Sequence, residues 1–145
     1  MAGLDFTSSD KNSKLDHVSI GHWGLASLTG KIAAESIVHE NESTYENYSM
    51  KTVPFFWSTQ YNKMIRFAGY NEKYDIIIFH EDKTNENEYK CAAFYFLGER
   101  AVGVCTIDWD PVCAIFAEIL NNGLEIKREH VTEDPMAIKQ LLLKK

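Results

Sequence analysis

The sequence predicts an α+β domain, a mainly antiparallel sheet packed with helices, and three observations carry that expectation. Short apolar runs bounded by Gly, Asn or Asp recur from Phe55 to Asp108, as successive strands do. The last two runs flank Gly98-Glu99-Arg100, a loop of common hairpin length. Directly afterwards Val112, Ile115, Phe116, Ile119 and Leu120 repeat at i, i+3, i+4, i+7 and i+8, one apolar stripe suited to covering a sheet.

Taken in order, residues 1–17 are rich in Ser, Asp, Lys and Asn without sustained period, and are expected to be poorly ordered. From Ile20 to His39 the spacing turns helical, with Trp23, Ala26, Gly30, Ala33 or Ala34, and Ile37 three and four apart. Gly24 and Gly30 each cost roughly 1 kcal/mol in a helix relative to Ala, so close approach of a backbone or ligand is expected there, or plain tight packing. Glu40 to Thr52 is a polar linker and the best internal boundary, giving a helix-plus-linker segment at 18–52 and the α+β domain at 53–145.

That domain opens on Val53-Pro54-Phe55-Phe56-Trp57-Ser58. Pro54 has no backbone N–H and biases Val53 toward extended geometry, so the stretch reads as the entry to an edge strand or an ordered extended loop. On a strand Phe55 and Trp57 share one face and Phe56 takes the other. Trp57 then either packs in the core or caps a flat ligand. Strand-like runs follow at Met64 to Tyr70 and Ile76 to Phe79, and Glu81 to Glu88 reads as a solvated charge cluster. Tyr89 to Leu97 and Ala101 to Asp108 form the hairpin. Ala92, Phe94 and Phe96 face one side, and Cys91, Ala93, Tyr95 and Leu97 the other; both sides are apolar, so this strand is expected to be central and covered on each face. The following helix is expected over Pro111–Asn122, with Asp110 as N-cap, Pro111 at the first position and Gly123 just past the end. Leu124 to Val131 is a weak strand or extended arm. Asp134-Pro135 repeats the cap-plus-proline start, so Met136 to Leu143 is a short helix docked by Ile138, Leu141 and Leu142.

Composition narrows the function. A chain of 145 residues with 45% hydrophobic and 25% charged residues is ordinary for one globular domain. Its net charge of −6, without a basic run, argues against a nucleic-acid or anionic-membrane partner. No apolar stretch approaches the about 18 residues of a membrane span, and no export signal is present. Cys91, Cys105 and Cys113 form no C-x-x-C pair and read as buried hydrophobes in a reducing compartment. His17, His22, His39, His80 and His130 fall in no metal-ligand spacing. Asn41-Glu42-Ser43 and Asn47-Tyr48-Ser49 match a glycosylation sequon and are taken as loop composition. No nucleophile elbow, P-loop or Gly-rich dinucleotide fingerprint occurs, so no self-sufficient active site is encoded.

What remains is ordered in a particular way. Ser19-Ile20-Gly21-His22-Trp23 with Ala26, Gly30, Ala33 and Ala34 is followed by Val53-Pro54-Phe55-Phe56-Trp57 and then by Ile65-Arg66-Phe67-Ala68-Gly69-Tyr70. This run resembles the tail of apoptosis-inducing-factor-like flavoproteins, within the class that includes rubredoxin and ferredoxin reductases. Ala93-Phe94-Tyr95, Asp110-Pro111-Val112 and Ala117-Glu118-Ile119-Leu120 extend the resemblance to about residues 18–131. It implies that the helix at His22–Val38 closes an FAD-binding domain and aims its N-terminal amides at the flavin's pyrimidine edge, where a positive helix end stabilises negative charge. It further implies that Trp57 lies beside the flavin, that NADH or NADPH supplies hydride, and that the family is mitochondrial. The family's Gly-Asp pair at the FAD ribityl or phosphate region is matched only by Ala2-Gly3-Leu4-Asp5, making Asp5 the candidate there. Both dinucleotide fingerprints, and any Rieske domain, would lie upstream of Met1, so the first helix is an orphan of a missing FAD-binding domain.

The expected function is therefore a C-terminal fragment of an FAD-dependent NAD(P)H oxidoreductase. His22, Trp23, Trp57 and Asp5 would contribute part of the flavin contact, with no catalytic nucleophile and no metal. FAD is not expected to be retained, nor activity shown, by this chain alone. Its partners would be the missing FAD/NAD-binding domains, NAD(P)H in the complete protein, and a second copy in a homodimer; its location would be mitochondrial or cytoplasmic. The alternative is a non-enzymatic interaction or dimerisation module that keeps the fold without the cofactor.

Overall fold

The computed structural model describes residues 21–38, 52–84 and 88–143. The chain divides into two units, Met1–Thr52 and Val53–Lys145. The expected poorly ordered start, the sequons, most of the polar linker and part of the Glu81 to Glu88 cluster lie outside the described residues.

The first unit contributes α1, Trp23–Val38, inside the helical span that the spacing predicts. Leu25 is buried, whereas Trp23, Ile37 and Val38 are exposed. The close approach expected at the glycines is not made among the described residues. A Cβ at Gly30 would meet nothing within 4 Å, and one at Gly24 would meet only the His22 ring, at 3.2 Å from Cε1. The room at Gly24 is taken by a neighbouring imidazole rather than by a second backbone.

The second unit is a five-stranded sheet: β1 (Phe55–Gln60), β2 (Lys63–Gly69), β3 (Ile76–Asp82), β4 (Lys90–Leu97) and β5 (Arg100–Ile107). The spatial order is β1-β2-β5-β4-β3, with every neighbouring pair antiparallel. β1 is an edge strand, as Pro54 requires; its entry is pinned by Gly69 N–H donating to the Pro54 carbonyl at 2.9 Å and Val53 N–H donating to Asn121 Oδ1 at 3.2 Å.

Two tight turns set the register. β1 and β2 are joined by Tyr61 and Asn62, with φ of 50° and 59°, between the paired Gln60 and Lys63. Two successive positive φ values are the pattern of a type I′ turn, whose backbone twist suits antiparallel strands. The β4–β5 turn is one residue shorter than the sequence suggests. Leu97 pairs with Arg100, leaving Gly98 (φ 60°) and Glu99 as the loop, because a left-handed glycine in the first position allows a two-residue type II′ connection. Arg100 thereby joins the sheet, and Arg128 clasps the turn, its Nε donating to the Gly98 carbonyl at 2.8 Å.

Alternation sorts the strands onto two faces. Ala68, Ala92, Phe94, Phe96 and Val104 are fully buried and meet Val112, Phe116 and Ile119 of α2, Val112–Asn121. The Phe94 and Phe116 rings lie 6.2 Å apart. α2 ends as expected: Gly123 has φ 71°, its N–H donates to Leu120 O, and Leu124 N–H donates to Ile119 O, the paired bonds of a Schellman motif. It does not begin as expected. No side chain caps it, because the Asp110 carboxylate is engaged by the Arg66 guanidinium instead. Leu124 to Val131 is extended with a single bridge, Lys127 to Arg100, and then a 3-10 turn at Arg128–His130. Asp134 does cap, accepting from Met136 N at 2.8 Å, and the expected short helix is a 3-10 turn, Pro135–Lys139, continued by α3, Gln140–Leu143. Ile138, Leu141 and Leu142 pack on the core as predicted. One expectation fails: the helices of this unit cover the Phe94 face only, and the face of Phe56, Phe67 and Tyr95 stays partly open because neither α2 nor α3 reaches it.

Asp108 closes the sheet at the exit of β5. Its backbone sits at φ 49°, its N–H donates to Met64 O at 3.0 Å, its Oδ1 accepts from Met64 N at 2.8 Å, and Oδ2 lies 3.0 Å from Lys63 Nζ. The Met64 amide first, and Lys63 after it, hold this carboxyl below its ordinary range.

Two outcomes follow from these turns. Tyr61 is 99% exposed, so replacing it costs no packing; Tyr61→Asn combined with Asn62→Gly removes two strained left-handed positions and should raise the urea midpoint by an amount equal to about 1 kcal/mol. For Asp108 the native pKa is depressed, so its stabilisation is complete above the unfolded carboxylate value of about 3.9 and is lost as pH falls through the lower native value. Asp108→Asn should therefore lower the midpoint at pH 7 and flatten the acid limb of stability, both read by denaturation at a series of pH values.

Candidate functional site

The sequence-predicted residues fall in different parts of the chain. His22 and Trp23 adjoin at the start of α1, Trp57 belongs to the sheet unit, and Asp5 lies outside the described residues. Trp23 is 90% exposed. His22 folds back over Gly24, leaving Nδ1 shut from solvent and without a hydrogen-bond partner, while its carbonyl accepts from Ala26 N at 2.9 Å. Nothing in the sequence marks this ring position, since it depends on the missing side chain at Gly24.

Trp57 lies on the helix-covered face of the sheet, yet at its edge, and is 66% exposed. Of the two readings of the aromatic stretch, core packing holds for Phe55 and not for Trp57, whose ring lies 6.4 Å from Phe55 and outside the core. The strand that carries the indole is placed by its ladder, not by burial of the indole. β1 is zipped to β2 over its full length, and directly across from Trp57 stands Arg66. Arg66 in turn pairs with Asp110 at the entrance to α2, so β2, the neighbour of the strand that carries the tryptophan, is tied to the covering helix by an ion pair. Beyond Arg66 in the same row lies Thr106, fully buried, with its hydroxyl oxygen unpartnered.

Arg66, Asp110 and Lys63 are the members that motif reading passes over. A signal was present: in Ile65-Arg66-Phe67-Ala68 the arginine has the parity of Ala68, which puts a charge on the inward face of an otherwise apolar strand. A charge placed there needs a partner, and Asp110 supplies it.

Thiol and metal chemistry find no support. All three cysteines are free, and burial pushes the Cys113 thiol up to about 12, leaving it protonated and inert. Burial also raises Cys105. Among the described residues no group of three or more His, Cys, Asp or Glu side chains is placed to hold a metal, and no helix is long and apolar enough to cross a membrane.

The arrangement is a rigid edge carrying one exposed, flat indole, next to a neutralised cation. It offers a surface for stacking and no nucleophile. Comparison with known proteins gives this edge a context. Residues 55–142 match the family model described as "Reductase C-terminal". Over 114 residues, 79% of this chain, the sequence is 32% identical to apoptosis-inducing factor 3 of Homo sapiens and 31% identical to that of Mus musculus. The chain spans only 17% of the length of these relatives. Among solved structures, Fdr9 superimposes with a TM-score of 0.63 at 21% identity, over 83% of this chain and 30% of that one. Putidaredoxin reductase in its covalent complex with putidaredoxin gives 0.53 at 22% identity, over 64% of this chain and 22% of that one. These structural likenesses speak for the fold, and the sequence match speaks for descent: the chain belongs to the reductase C-terminal family.

Proposed function

We propose that this chain is the C-terminal portion of an FAD-dependent NAD(P)H oxidoreductase of the apoptosis-inducing-factor-like kind, and that it supplies one wall of a flavin site. The observation that carries the reading is Trp57, a large apolar side chain left 66% exposed on an edge strand that pairs with β2 along its full length. Covering that indole by a partner surface in the complete protein would be favourable, because it removes a large apolar area from water.

The residues fit the group in kind. An indole suits one face of a planar ring system, and the start of α1 offers peptide N–H groups to an electron-rich edge. FAD, when bound, supplies the hydride and electron chemistry; the side chains of this chain bind, orient and exclude water. Trp57 would shield the ring from solvent, Arg66 and Asp110 would fix β2 beside the strand that holds Trp57, and His22 and Trp23 would fix the helix start. Asp5 would reach the ribityl or phosphate region. No proton or electron passes through any of these side chains. NAD(P)H and the electron acceptor would be bound by the dinucleotide domains of a longer protein, and the location would be mitochondrial, by the same kinship, or cytoplasmic.

The test is titration of the 145-residue chain with FAD while following tryptophan fluorescence, with Trp57→Ala and Trp23→Ala as variants. Saturable quenching that is weak compared with a whole flavoprotein, lost in Trp57→Ala and diminished in Trp23→Ala, is the expected result. NADH oxidation should stay at the level of free FAD. A flat titration at high FAD removes Trp57 and Trp23 from the flavin contact and leaves the alternative, an interaction module that keeps the fold without cofactor.

A further inference from the structure

We propose that β3 is a docking edge, at which an extended basic segment of a partner protein adds to the sheet as a further strand, antiparallel to Ile76–Asp82 and with a lysine or arginine at each end. This inference does not rest on the flavin reading, because Trp57 belongs to β1, at the other edge of the sheet.

The two edges are finished differently. β1 is guarded: Pro54 stands at its entry without an N–H, Val53 N–H is taken by Asn121 Oδ1 at 3.2 Å, and the strand ends in Ser58-Thr59-Gln60, where Gln60 Nε2 donates to Ser58 Oγ at 2.9 Å. β3 has no proline and no lysine, and its only formal charges, Glu81 and Asp82, stand at its far end. It opens on four consecutive apolar residues, Ile76-Ile77-Ile78-Phe79. Its ladder with β4 runs from Ile76 to Asp82 without a register break, the shift at Tyr95/Phe96 belonging to the β4–β5 ladder.

A strand paired on one side directs every second N–H and C=O outward. Ile76, Ile77 and Phe79 flank those groups and are 37%, 46% and 54% exposed, so among the described residues no element covers this edge. The backbone therefore selects an extended occupant, since only another strand offers donors and acceptors at the same two-residue interval. β-branched side chains placed beside Ile77 and Phe79 would pair with them across the new ladder. Antiparallel addition continues the pattern of every ladder in the sheet and is the slightly more stable pairing.

Charge selects the kind of strand. Between Glu72 and Lys90 the sequence holds six carboxylates against three lysines. Two of those carboxylates bracket β3, Asp75 just before it and Asp82 at its end. Both are held by neutral donors: Asp75 Oδ2 accepts from Gly98 N at 3.0 Å, and Asp82 Oδ1 accepts from Thr84 N at 2.9 Å and from the Thr84 hydroxyl at 2.7 Å. These bonds place the carboxylates without cancelling their charge, and the Thr84 hydroxyl and then its amide hold Asp82 below the usual carboxylate range. Lys90, across the ladder from Asp82, acts on it less than Thr84 does. Glu81 is already paired with Lys83 at 2.8 Å and makes no such demand. A second copy of this chain would bring the same excess of carboxylates to the contact, whereas a strand with basic residues seven positions apart meets Asp75 with one and Asp82 with the other.

The probe is a fluorescein-labelled peptide, Lys-Thr-Thr-Val-Thr-Val-Thr-Lys, which in that orientation sets its lysines against Asp82 and Asp75 and its valines against Phe79 and Ile77. Fluorescence polarisation with the 145-residue chain should show saturable binding that weakens as salt is raised. Asp75→Asn and Asp82→Asn, which keep the hydrogen bonds and lose the charge, should each weaken it about threefold. Phe79→Lys, an edge lysine of the kind that blocks strand addition, should weaken it at least about tenfold, and Thr59→Lys on β1 should leave it unchanged. Far-UV circular dichroism checks that Phe79→Lys stays folded. Two further peptides need no change in the protein: one is N-methylated at its odd residues and the other at its even residues. The set whose N–H groups face β3 should lose binding and the other should keep it. Polarisation that stays flat up to millimolar chain, an equal response to both methylated sets, or a loss in Thr59→Lys in place of Phe79→Lys would each overturn the proposal. So would a dimer in sedimentation velocity that Phe79→Lys disperses, because β3 is then taken by a second copy.

Discussion

The burial of Phe94 beneath Phe116 is the contact on which the other elements depend. Phe94 sits on β4, one strand from the sheet's centre, and can be removed from water only if α2 crosses that face. Once α2 is there, its apolar stripe also covers Ala68 and Val104, and its C-terminal glycine turns the chain back to add Ile126, Val131 and Ile138 to the same core. Each of these is fully buried, so the hydrophobic term is concentrated on one side of one sheet. The strands are then positioned by that single layer, and the two tight turns merely fix which parity points inward.

Around this core the charged groups behave as fasteners at the sheet's end. Asp108 ties β5 to β2 through two backbone bonds and Lys63, and Arg66 with Asp110 ties β2 to the helix entrance. Partly exposed pairs of this kind add little to stability by themselves, but they restrict geometry. Their position matters because the neighbour of Arg66 across the ladder is Trp57. The backbone position that carries the indole is therefore set by the β1–β2 ladder although the indole itself lies outside the core.

Much of the fold was legible because its signals were local. Period-two alternation placed Ala92, Phe94 and Phe96 on one face, helical spacing located α2, and Pro54 marked β1 as an edge. What the sequence hid were outcomes of competition. Asp110 had the chemistry of a cap, but a guanidinium on an inward-facing position of the neighbouring strand was the stronger claimant. Gly24 and Gly30 looked like points of close approach, yet among the described residues only a folded-back imidazole uses the space at one of them. Tyr61-Asn62 lacked the glycine that usually announces a type I′ turn. Both-sided apolarity of β4 was read correctly, but apolarity states only that a face seeks cover, not which element provides it. Of the candidate site, the exposure of Trp57 could not be read from a stretch in which three adjacent rings alternate sides, since edge position rather than hydrophobicity decided it.

The placement of Trp57 has an evolutionary corollary. Its side chain is largely outside the core, so substitution there leaves the folding of the sheet almost untouched, whereas substitution of Phe94 or Ala68 does not. Fold and indole are thus physically separable. In a lineage that ceased to use the tryptophan, position 57 would drift to other residues while the buried face stayed constant.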